Sequence, residues 1–105
     1  MPNIKFNYRY RDSANYKKYK SIIFSNPDNI KRSELEKLVC SKLIDKTWFY
    51  ADEWKLPEIY LETFDHKIDP TWHEFESIEF TNSPANQSIS IKQFKELIEK
   101  TNCNY

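Results

Sequence analysis

The sequence predicts an α+β fold, in which a small antiparallel sheet of about four to five strands is packed by two helices. Three observations lead to this prediction. Polar and apolar residues alternate over residues 3–11, which is typical of a half-buried strand. Two stretches, 32–44 and 91–98, space their apolar residues three and four apart, as amphipathic helices do. A chain of 105 residues corresponds to one domain, so we expect residues 1–105 to fold together.

The beginning of the chain predicts a β-hairpin. The strand over residues 3–11 has one apolar and one polar face. Its apolar face consists of Ile4, Phe6, Tyr8 and Tyr10. A turn at 12–15 leads to a second apolar run at 19–25, so we expect the two strands to pair antiparallel. Pro27 in the segment 26–29 then ends the sheet, because proline cannot donate to a strand ladder.

A helix is predicted over residues 32–44, and its start can be interpreted in two ways. Its apolar stripe is formed by Leu35, Leu38, Val39 and Leu43. Ser33 and Glu36 fit a capping box, in which each side chain bonds to the backbone of the other residue. Alternatively, Lys31 is the cap residue and Ile30 packs onto the stripe. The residues alone leave both interpretations open.

The last predicted helix has a clearer start. Ser90 and Gln93 fit a capping box, and Ile89 is placed to pack against Phe94. The buried stripe is formed by Ile91, Phe94, Leu97 and Ile98. We expect this helix to end near Thr101 and to pack across the sheet that contains the first strand.

The middle of the chain predicts three further strands. Two are short, at 48–50 and 58–62, and the third covers 72–80. The third strand has mixed alternation, so we expect both of its faces to be partly covered. On one face lie Trp72, Ile78 and Phe80, and on the other lies Phe75.

Composition excludes several classes of protein. The chain has no glycine, which excludes the glycine-rich phosphate loops of P-loop enzymes and of dinucleotide-binding domains. Turns that need a positive φ must therefore use Asn or Asp. No apolar run approaches the roughly 18 residues that span a membrane, and residues 1–5 lack the apolar stretch of a signal peptide. We therefore expect a cytoplasmic protein, in which a disulfide between Cys40 and Cys103 would be unusual.

Charge is segregated along the chain although the net charge is zero. Residues 1–44 carry a net +6, and residues 45–79 carry a net −7. The acidic block is interleaved with aromatic residues, which suit the anchors of a protein interface. The sequence therefore suggests a docking surface, the acidic face, for a protein partner with a basic surface, against the alternative of a solvated face over an aromatic core. The acidic face is predicted from Asp52, Glu53, Trp54, Glu58, Tyr60 and Glu62.

The basic N-terminal hairpin suggests an alternative function, RNA or DNA binding. Its positive side chains alternate with tyrosines, and such a pattern can grip a phosphate backbone and stack on bases. The candidate contacts are Arg9, Arg11, Lys17, Lys18 and Lys20. The isoelectric point of about 6.7 lies well below the values typical of nucleic-acid-binding domains.

Neither a catalytic group nor a metal site stands out in the sequence. The two histidines, His66 and His73, could meet Asp69 and a neighbouring carboxylate, but their spacing matches no zinc pattern. No histidine lies in a motif with Ser or Cys that would indicate a nucleophile. We therefore expect no enzyme activity, no cofactor, no metal and no small-molecule substrate.

Several segments also carry a resemblance to other proteins. They are FNYRYRD at 6–12, NYK at 15–17, FSNP at 24–27, FYADEW at 49–54 and WHEFES at 72–77. Together they resemble a family of small uncharacterised bacterial proteins over most of residues 6–98, and this resemblance implies no activity. The family often has glycine at the position of Lys46 and histidine or a similar residue at that of Pro70, so no common metal or loop function is implied.

A second likeness is of type alone. The small size, the lysine- and asparagine-rich composition and the segregated charge are similar to those of phage-encoded inhibitors of bacterial defence, such as anti-CRISPR proteins. That likeness implies a protein that binds and blocks a nucleic-acid-handling effector. A housekeeping role in a bacterium remains the alternative.

Overall fold

A computed structural model describes residues 2–61 and 64–100 of the chain. The elements over these residues are β1 (Asn3–Arg11), β2 (Lys17–Phe24), α1 (Arg32–Ser41), β3 (Trp48–Phe49), β4 (His73–Thr81) and α2 (Ile91–Lys100), with a 3-10 helix at Ala51–Trp54. The strands form an antiparallel sheet in the order β2-β1-β4-β3. The predicted α+β fold, a small antiparallel sheet with two helices, is confirmed.

The predicted hairpin is present, and its alternation defines the two faces of the sheet. The apolar side chains of β1 are fully buried on the inner face. β2 pairs with β1 from Lys17 onward, two residues before the predicted start, because the ladder continues to Arg11. The turn closes where the Asp12 N–H donates to the Tyr16 carbonyl over 3.0 Å, and Asn15 adopts a φ of 70°. Asparagine tolerates this conformation better than most residues.

The start of α1 is the second of the two interpretations. Lys31 is the cap residue and makes no side-chain capping bond, so the predicted box of Ser33 and Glu36 is wrong. Ile30 instead packs against the core, and this apolar contact fixes the entry of the helix. The helix ends at Ser41, three residues before its predicted end.

The capping box of α2 is confirmed. The Ser90 N–H donates to Gln93 Oε1 over 2.8 Å, and the Gln93 N–H donates to Ser90 Oγ over 3.3 Å. The predicted end near Thr101 lies outside the described residues. Within 2–61 and 64–100, neither helix has the length and apolar character needed to cross a bilayer.

The helices cover one part of the inner face, and aromatic rings fill the space beneath them. Phe94 of α2 stacks on Phe24 of β2, with ring centroids 4.5 Å apart, and meets Phe6 of β1 edge-on at 5.5 Å. Leu35 and Val39 of α1 are buried in the same core. α2 therefore packs across the sheet as the sequence predicts.

A β-bulge explains the mixed alternation of β4. Phe6 pairs with Ile78, but Tyr8 pairs with Phe75, so one extra residue stands between them on β4. The extra residue turns Phe75 to the inner face, where its ring lies 5.4 Å from that of Phe6. The predicted placement of Phe75 and Ile78 on opposite faces is therefore wrong.

The strand predicted at 58–62 is absent from the described residues 58–61, and Glu62 lies outside them. The edge of β4 is already taken, because Phe49 of β3 pairs with His73. The Ile59 N–H instead donates to Nε2 of His73 over 3.0 Å. Residues 56–61 therefore run irregularly over the inner face near Tyr8 and Tyr10.

Five residues take a positive φ in the glycine-free chain, as far as residues 2–61 and 64–100 show. Asn15, Asn29 and Asp45 follow the expectation that Asn and Asp fill such positions. Lys46, with a φ of 61°, and Lys55, with a φ of 57°, depart from it. Each of these lysines holds a conformation in which its Cβ is crowded by backbone.

Candidate interaction surfaces

The acidic face lies on the connection between β3 and β4. Asp52 and Glu53 are exposed on the 3-10 helix, Glu58 is exposed farther along, and Tyr60 is half-buried. Burial raises the pKa of Tyr60 and lowers that of His73, and the charges of Asp52 and Glu58 add to the first change and oppose the second, so both carboxylates lie near these two rings. The fold thus brings together Asp52, Glu58 and Tyr60, which are separated in sequence.

Trp54 is fully buried, so its predicted role as an exposed partner-binding residue is corrected. Its indole stacks on Phe49, with ring centroids 4.6 Å apart, and meets Phe94 edge-on at 6.3 Å. The buried position of this ring is favoured in free energy over an exposed one, because burial of an aromatic side chain removes about 150–250 Å² of surface from water. Trp54 therefore anchors the segment that presents Asp52 and Glu53.

Tyr60 forms the border between the acidic face and the core. Its ring lies 4.4 Å from that of Phe64 and meets Tyr10 edge-on at 5.0 Å. Its hydroxyl donates to Glu58 and lies 3.2 Å from the Thr71 carbonyl oxygen. Burial, followed by the hydrogen bond and charge of Glu58, raises the pKa of Tyr60, so the hydroxyl stays protonated and holds Glu58 in place.

Two of the five predicted nucleic-acid contacts are engaged elsewhere. Arg9 Nε donates to Glu74 Oε1 over 2.7 Å, and Arg11 Nε lies 3.1 Å from Glu74 Oε2. Burial of Glu74 opposes its ionisation, but the hydrogen bond from Arg9 and the two positive charges outweigh this and lower its pKa. Arg9 and Arg11 therefore share the single negative charge of Glu74, which engages both guanidinium groups but leaves one positive charge uncompensated, and this weakens their prediction as phosphate contacts.

The remaining predicted contacts are exposed. Lys17, Lys18 and Lys20 lie on the first half of β2, and Tyr16 and Tyr19 beside them are 68% and 58% exposed. Here β2 extends beyond the part of the sheet that α1 and α2 cover, so both of its faces meet solvent. This end of the molecule is basic, and its tyrosines are available for contact.

Sequence reasoning missed the outer-face row, which we define as Tyr19, Arg9, Glu74 and Trp48. Register places these residues side by side across the four strands. Trp48 Nε1 donates to Glu74 Oε2 over 3.4 Å, and its ring lies 5.8 Å from that of Trp72. The alternation of β1 does place Arg9 on the outer face. Its partner Glu74 could not be predicted from the sequence, because the bulge shifts the register of β4.

The histidines and Asp69 do not converge. His66 is exposed, whereas His73 is fully buried against Tyr10, with ring centroids 5.2 Å apart. Asp69 accepts from the Ser13 N–H and hydroxyl, over 3.0 and 2.7 Å, and so ties its loop to the hairpin turn. Among residues 2–61 and 64–100, no group of three or more His, Cys, Asp or Glu side chains could hold a metal ion.

Cys40 also lies apart from these surfaces. Cys40 is a free, exposed thiol on α1, and burial raises its pKa, followed by the charge of Glu36. Cys103 lies outside the described residues. A raised pKa disfavours the thiolate, which is the reactive form of cysteine.

Comparison with known proteins gives no relative for this chain. No protein-family model, curated protein or solved structure matches it.

Proposed function

We propose that this protein is a non-catalytic binding module whose acidic face docks onto a protein partner with a basic surface. The observation that supports it is the convergence of Asp52, Glu58 and Tyr60 on a segment anchored by the buried Trp54. The exposed residues of the predicted face remain candidate contacts, whereas Trp54 supports the face from within the core.

Rigidity of the acidic face favours binding. Trp54 is clamped between Phe49 and the core, and the Leu56 N–H closes the turn by donating to the Ala51 carbonyl over 2.9 Å. Tyr60 holds the carboxylate of Glu58. Side chains that are already ordered lose less conformational entropy when a partner binds, so more of the contact energy appears as affinity.

The charge of the face selects the kind of partner. Exposed carboxylates attract a basic groove over long range and raise the rate of encounter. Proteins that handle RNA or DNA carry such grooves, because they must contact phosphates. In its more specific form, the proposal is therefore a cytoplasmic inhibitor of a bacterial defence effector, of the anti-CRISPR type, that occupies the nucleic-acid site.

Charge reversal tests the acidic face directly. The variant Asp52→Lys with Glu58→Lys should lower affinity for a partner identified by pull-down and mass spectrometry by about tenfold or more. The matched control is Asp28→Lys with Glu96→Lys, which changes net charge equally at exposed positions outside the face. Both double variants should keep their free energy of unfolding within about 1 kcal/mol, since surface substitutions shift it by about 0.5 kcal/mol each or less. Unchanged affinity of the first variant would overturn the docking surface.

The inhibitor form has its own test. The chain is expressed in a bacterium whose CRISPR system targets a given phage, and plaques are counted. We expect plaques to reappear with the natural chain and with the control variant, but not with Asp52→Lys, Glu58→Lys. If the natural chain restores no plaques against any of the CRISPR types tested, the inhibitor form is wrong, and the binding module is judged by the affinity test alone.

Nucleic-acid binding is the second candidate, because Lys17, Lys18 and Lys20 are all exposed beside Tyr16 and Tyr19. It predicts that a fluorescent oligouridylate or single-stranded DNA binds at low salt, with an affinity that falls steeply as salt rises. Fluorescence anisotropy of the natural chain measures this. Absence of binding at low salt would exclude this function.

A further inference from the structure

The outer edge of β2 is divided into a closed half and an open half. The Asp12 N–H donates to the Tyr16 carbonyl, so in this antiparallel pair the even-numbered residues of β2 direct their backbone groups to β1. The odd-numbered residues then direct theirs away from the sheet. β2 stands at the end of the strand order, so no strand of the described sheet meets these groups.

The second half of this edge is closed by the segment that precedes α2. The Ile23 N–H donates to Asn86 Oδ1 over 2.8 Å, and its carbonyl accepts from the Asn86 N–H over 3.0 Å. The Ser25 carbonyl accepts from the Ile91 N–H over 2.8 Å, and Ser25 forms a bridge with Ser90. Both outward backbone groups of Ile23, and the carbonyl of Ser25, are therefore hydrogen-bonded within the fold.

The first half has no such cover. Among residues 2–61 and 64–100, no backbone hydrogen bond reaches the outward groups of Lys17, Tyr19 or Ser21. These three residues present alternating donors and acceptors at the spacing of a strand ladder, which is a template for one more strand. Residues 17–21 are held in an extended conformation, because they pair with residues 7–11 of β1.

The charge around this open edge selects its occupant. Lys18 and Lys20 project on the inner-face side and Lys17 on the outer-face side, and all three are exposed. We propose that residues 17–21 form a docking edge for an extended, acidic polypeptide segment of a partner, which adds to β2 as a fifth strand. Carboxylates at alternate positions of that segment would lie against Lys18 and Lys20, and the backbone ladder would supply the remaining contacts.

Two other occupants fit less well. A second copy of the chain, paired edge to edge, would set lysines against lysines, and like charges directly opposite each other destabilise a strand pair. Single-stranded nucleic acid would satisfy the charge, but it has no backbone that alternates N–H donors with carbonyl acceptors. The lysines therefore protect the edge from self-association while admitting an acidic strand.

This proposal is independent of the acidic face, and a synthetic peptide tests it without knowledge of the partner. The probe is a blocked peptide that alternates glutamate with threonine. One control peptide replaces glutamate by lysine, and a second keeps the glutamates but replaces the central threonines by proline, so that charge is retained while the ladder is lost. We expect measurable binding of the first peptide only, weakened by salt.

Amide hydrogen exchange, followed by NMR, locates the bound peptide. In the free protein the amides of Lys18 and Lys20 should be protected by β1, while those of Lys17, Tyr19 and Ser21 exchange freely. Saturation with the alternating peptide should slow exchange at the latter three by about tenfold or more, with little change at the former two. Binding without this odd-numbered pattern would overturn the proposal.

Variants of the protein separate the ladder from the charge. Tyr19→Pro removes an outward N–H but no hydrogen bond to β1, so we expect this variant to fold and to lose most of its affinity for the peptide. Tyr19→Thr keeps the N–H donor and should bind the peptide about as the natural chain does. If the proline variant fails to fold, Lys18→Glu with Lys20→Glu replaces it, and affinity should fall by about tenfold or more.

Four further results would also overturn the docking edge. They are equal binding of the proline-containing peptide, retained affinity in a folded Tyr19→Pro variant or in the double glutamate variant, binding of oligouridylate in place of the peptide, and self-association that protects the same amides. None of them bears on Asp52 or Glu58, so failure here leaves the acidic face to its own test.

Discussion

The inner face of the sheet has two halves that are covered in different ways. In the helix-covered half, Phe6, Phe24 and Ile78 pack beneath α1 and α2, and the contacts are almost entirely apolar. In the loop-covered half, Tyr8 and Tyr10, joined by His73, pack beneath the irregular segments 56–61 and 64–72. The β1–β2 pair runs without interruption through both halves, so the difference lies in what covers the sheet.

Backbone hydrogen bonding explains why the two halves use different residues. A helix satisfies its own N–H and carbonyl groups, so hydrocarbon is sufficient beneath it. An irregular loop has no such pairing, and its buried backbone groups need partners. Tyr8 donates to the Pro57 carbonyl and Tyr10 to the Pro70 carbonyl, each over 2.6 Å, and His73 accepts from the Ile59 N–H over 3.0 Å. The tyrosines and the histidine therefore supply hydrogen-bond partners for the backbone of the loop segments.

The largest expected effect is in the helix-covered half. Phe94→Ala should lower the free energy of unfolding by about 3–5 kcal/mol, because the ring is fully buried between Phe24, Phe6 and Trp54 and its loss leaves a cavity. At about 4–8 °C per kcal/mol, thermal denaturation should show a Tm lower by more than ten degrees.

The control for this substitution is Glu96→Ala, which removes an exposed side chain from the same helix. Lys95 is less suitable, because its ammonium group lies 3.4 Å from Glu34 and 3.3 Å from Glu99. Similar Tm values for Phe94→Ala and Glu96→Ala would show that α2 is not docked on the sheet.

The same contrast explains what the sequence predicted well. The alternation of Ile4 to Tyr10 and the helical spacing of Ile91, Phe94 and Ile98 reflect burial against regular elements, and both predictions hold. Residues 58–61 also have a strand-like composition, yet they form no strand. β3 occupies the edge of β4, and the backbone of Ile59 bonds to the His73 side chain instead. Periodicity does not record such long-range competition for a sheet edge.

The candidate surfaces were predictable to a similar extent. The exposed lysines of β2 and the carboxylates of Asp52 and Glu58 follow from charge and pattern. The burial of Trp54 does not, because an aromatic residue among charges suits both an anchor in the core and an anchor in a partner. The pairing of Arg9 and Arg11 with Glu74 depends on the register across a bulge, which no local pattern specifies.

Protonation of His73 should weaken the loop-covered half. Burial lowers the pKa of His73 below its ordinary value near 6.5, although the charges of Glu58 and Asp52 oppose this. The unfolded chain then binds the proton more readily, so stability should fall as pH decreases from 6.5 towards the folded-state value. A proton on Nε2 would also displace the bond from the Ile59 N–H, and a buried, unpaired charge is more unfavourable than the loss of one hydrogen bond.

Urea unfolding between pH 7.5 and 5 measures this effect. The lower limit keeps Glu74 and Asp69 largely ionised in both states, because their lowered pKa values reduce stability mainly below about pH 5. His66→Gln, at an exposed position, should retain the decline, and His73→Gln should remove it. A decline that persists in His73→Gln would assign it to another group.

Removal of one hydroxyl should have a smaller effect. Tyr8→Phe removes the donor to the Pro57 carbonyl at a part-buried position, so the free energy of unfolding should fall by about 0.5–1.5 kcal/mol. Tyr19→Phe is the matched control, since the ring of Tyr19 is largely exposed and its hydroxyl meets water. Chemical denaturation should show a lower midpoint for the first variant alone. Equal midpoints would mean that the hydroxyl of Tyr8 is not needed to hold the loop.

The smallest expected effect lies in the turn at residues 45–47, which leads into β3 beside the loop-covered half. Lys46 has a φ of 61°, where a side chain crowds the backbone at a cost of about 1 kcal/mol or more, whereas glycine is unstrained. Lys46→Gly relieves this strain, but glycine also makes the unfolded chain more flexible, which offsets part of the stabilisation. We therefore expect a net increase in the free energy of unfolding of about 0.5 kcal/mol. Lys67→Gly is the control, because Lys67 is exposed in a turn of the loop cover but does not take a positive φ, so it should lose stability instead. Differential scanning calorimetry should show a Tm higher by about 2–4 °C for Lys46→Gly and a lower one for Lys67→Gly. A fall of the same size in both would contradict the left-handed turn, and with it the entry of β3 into the sheet edge that excludes residues 58–61.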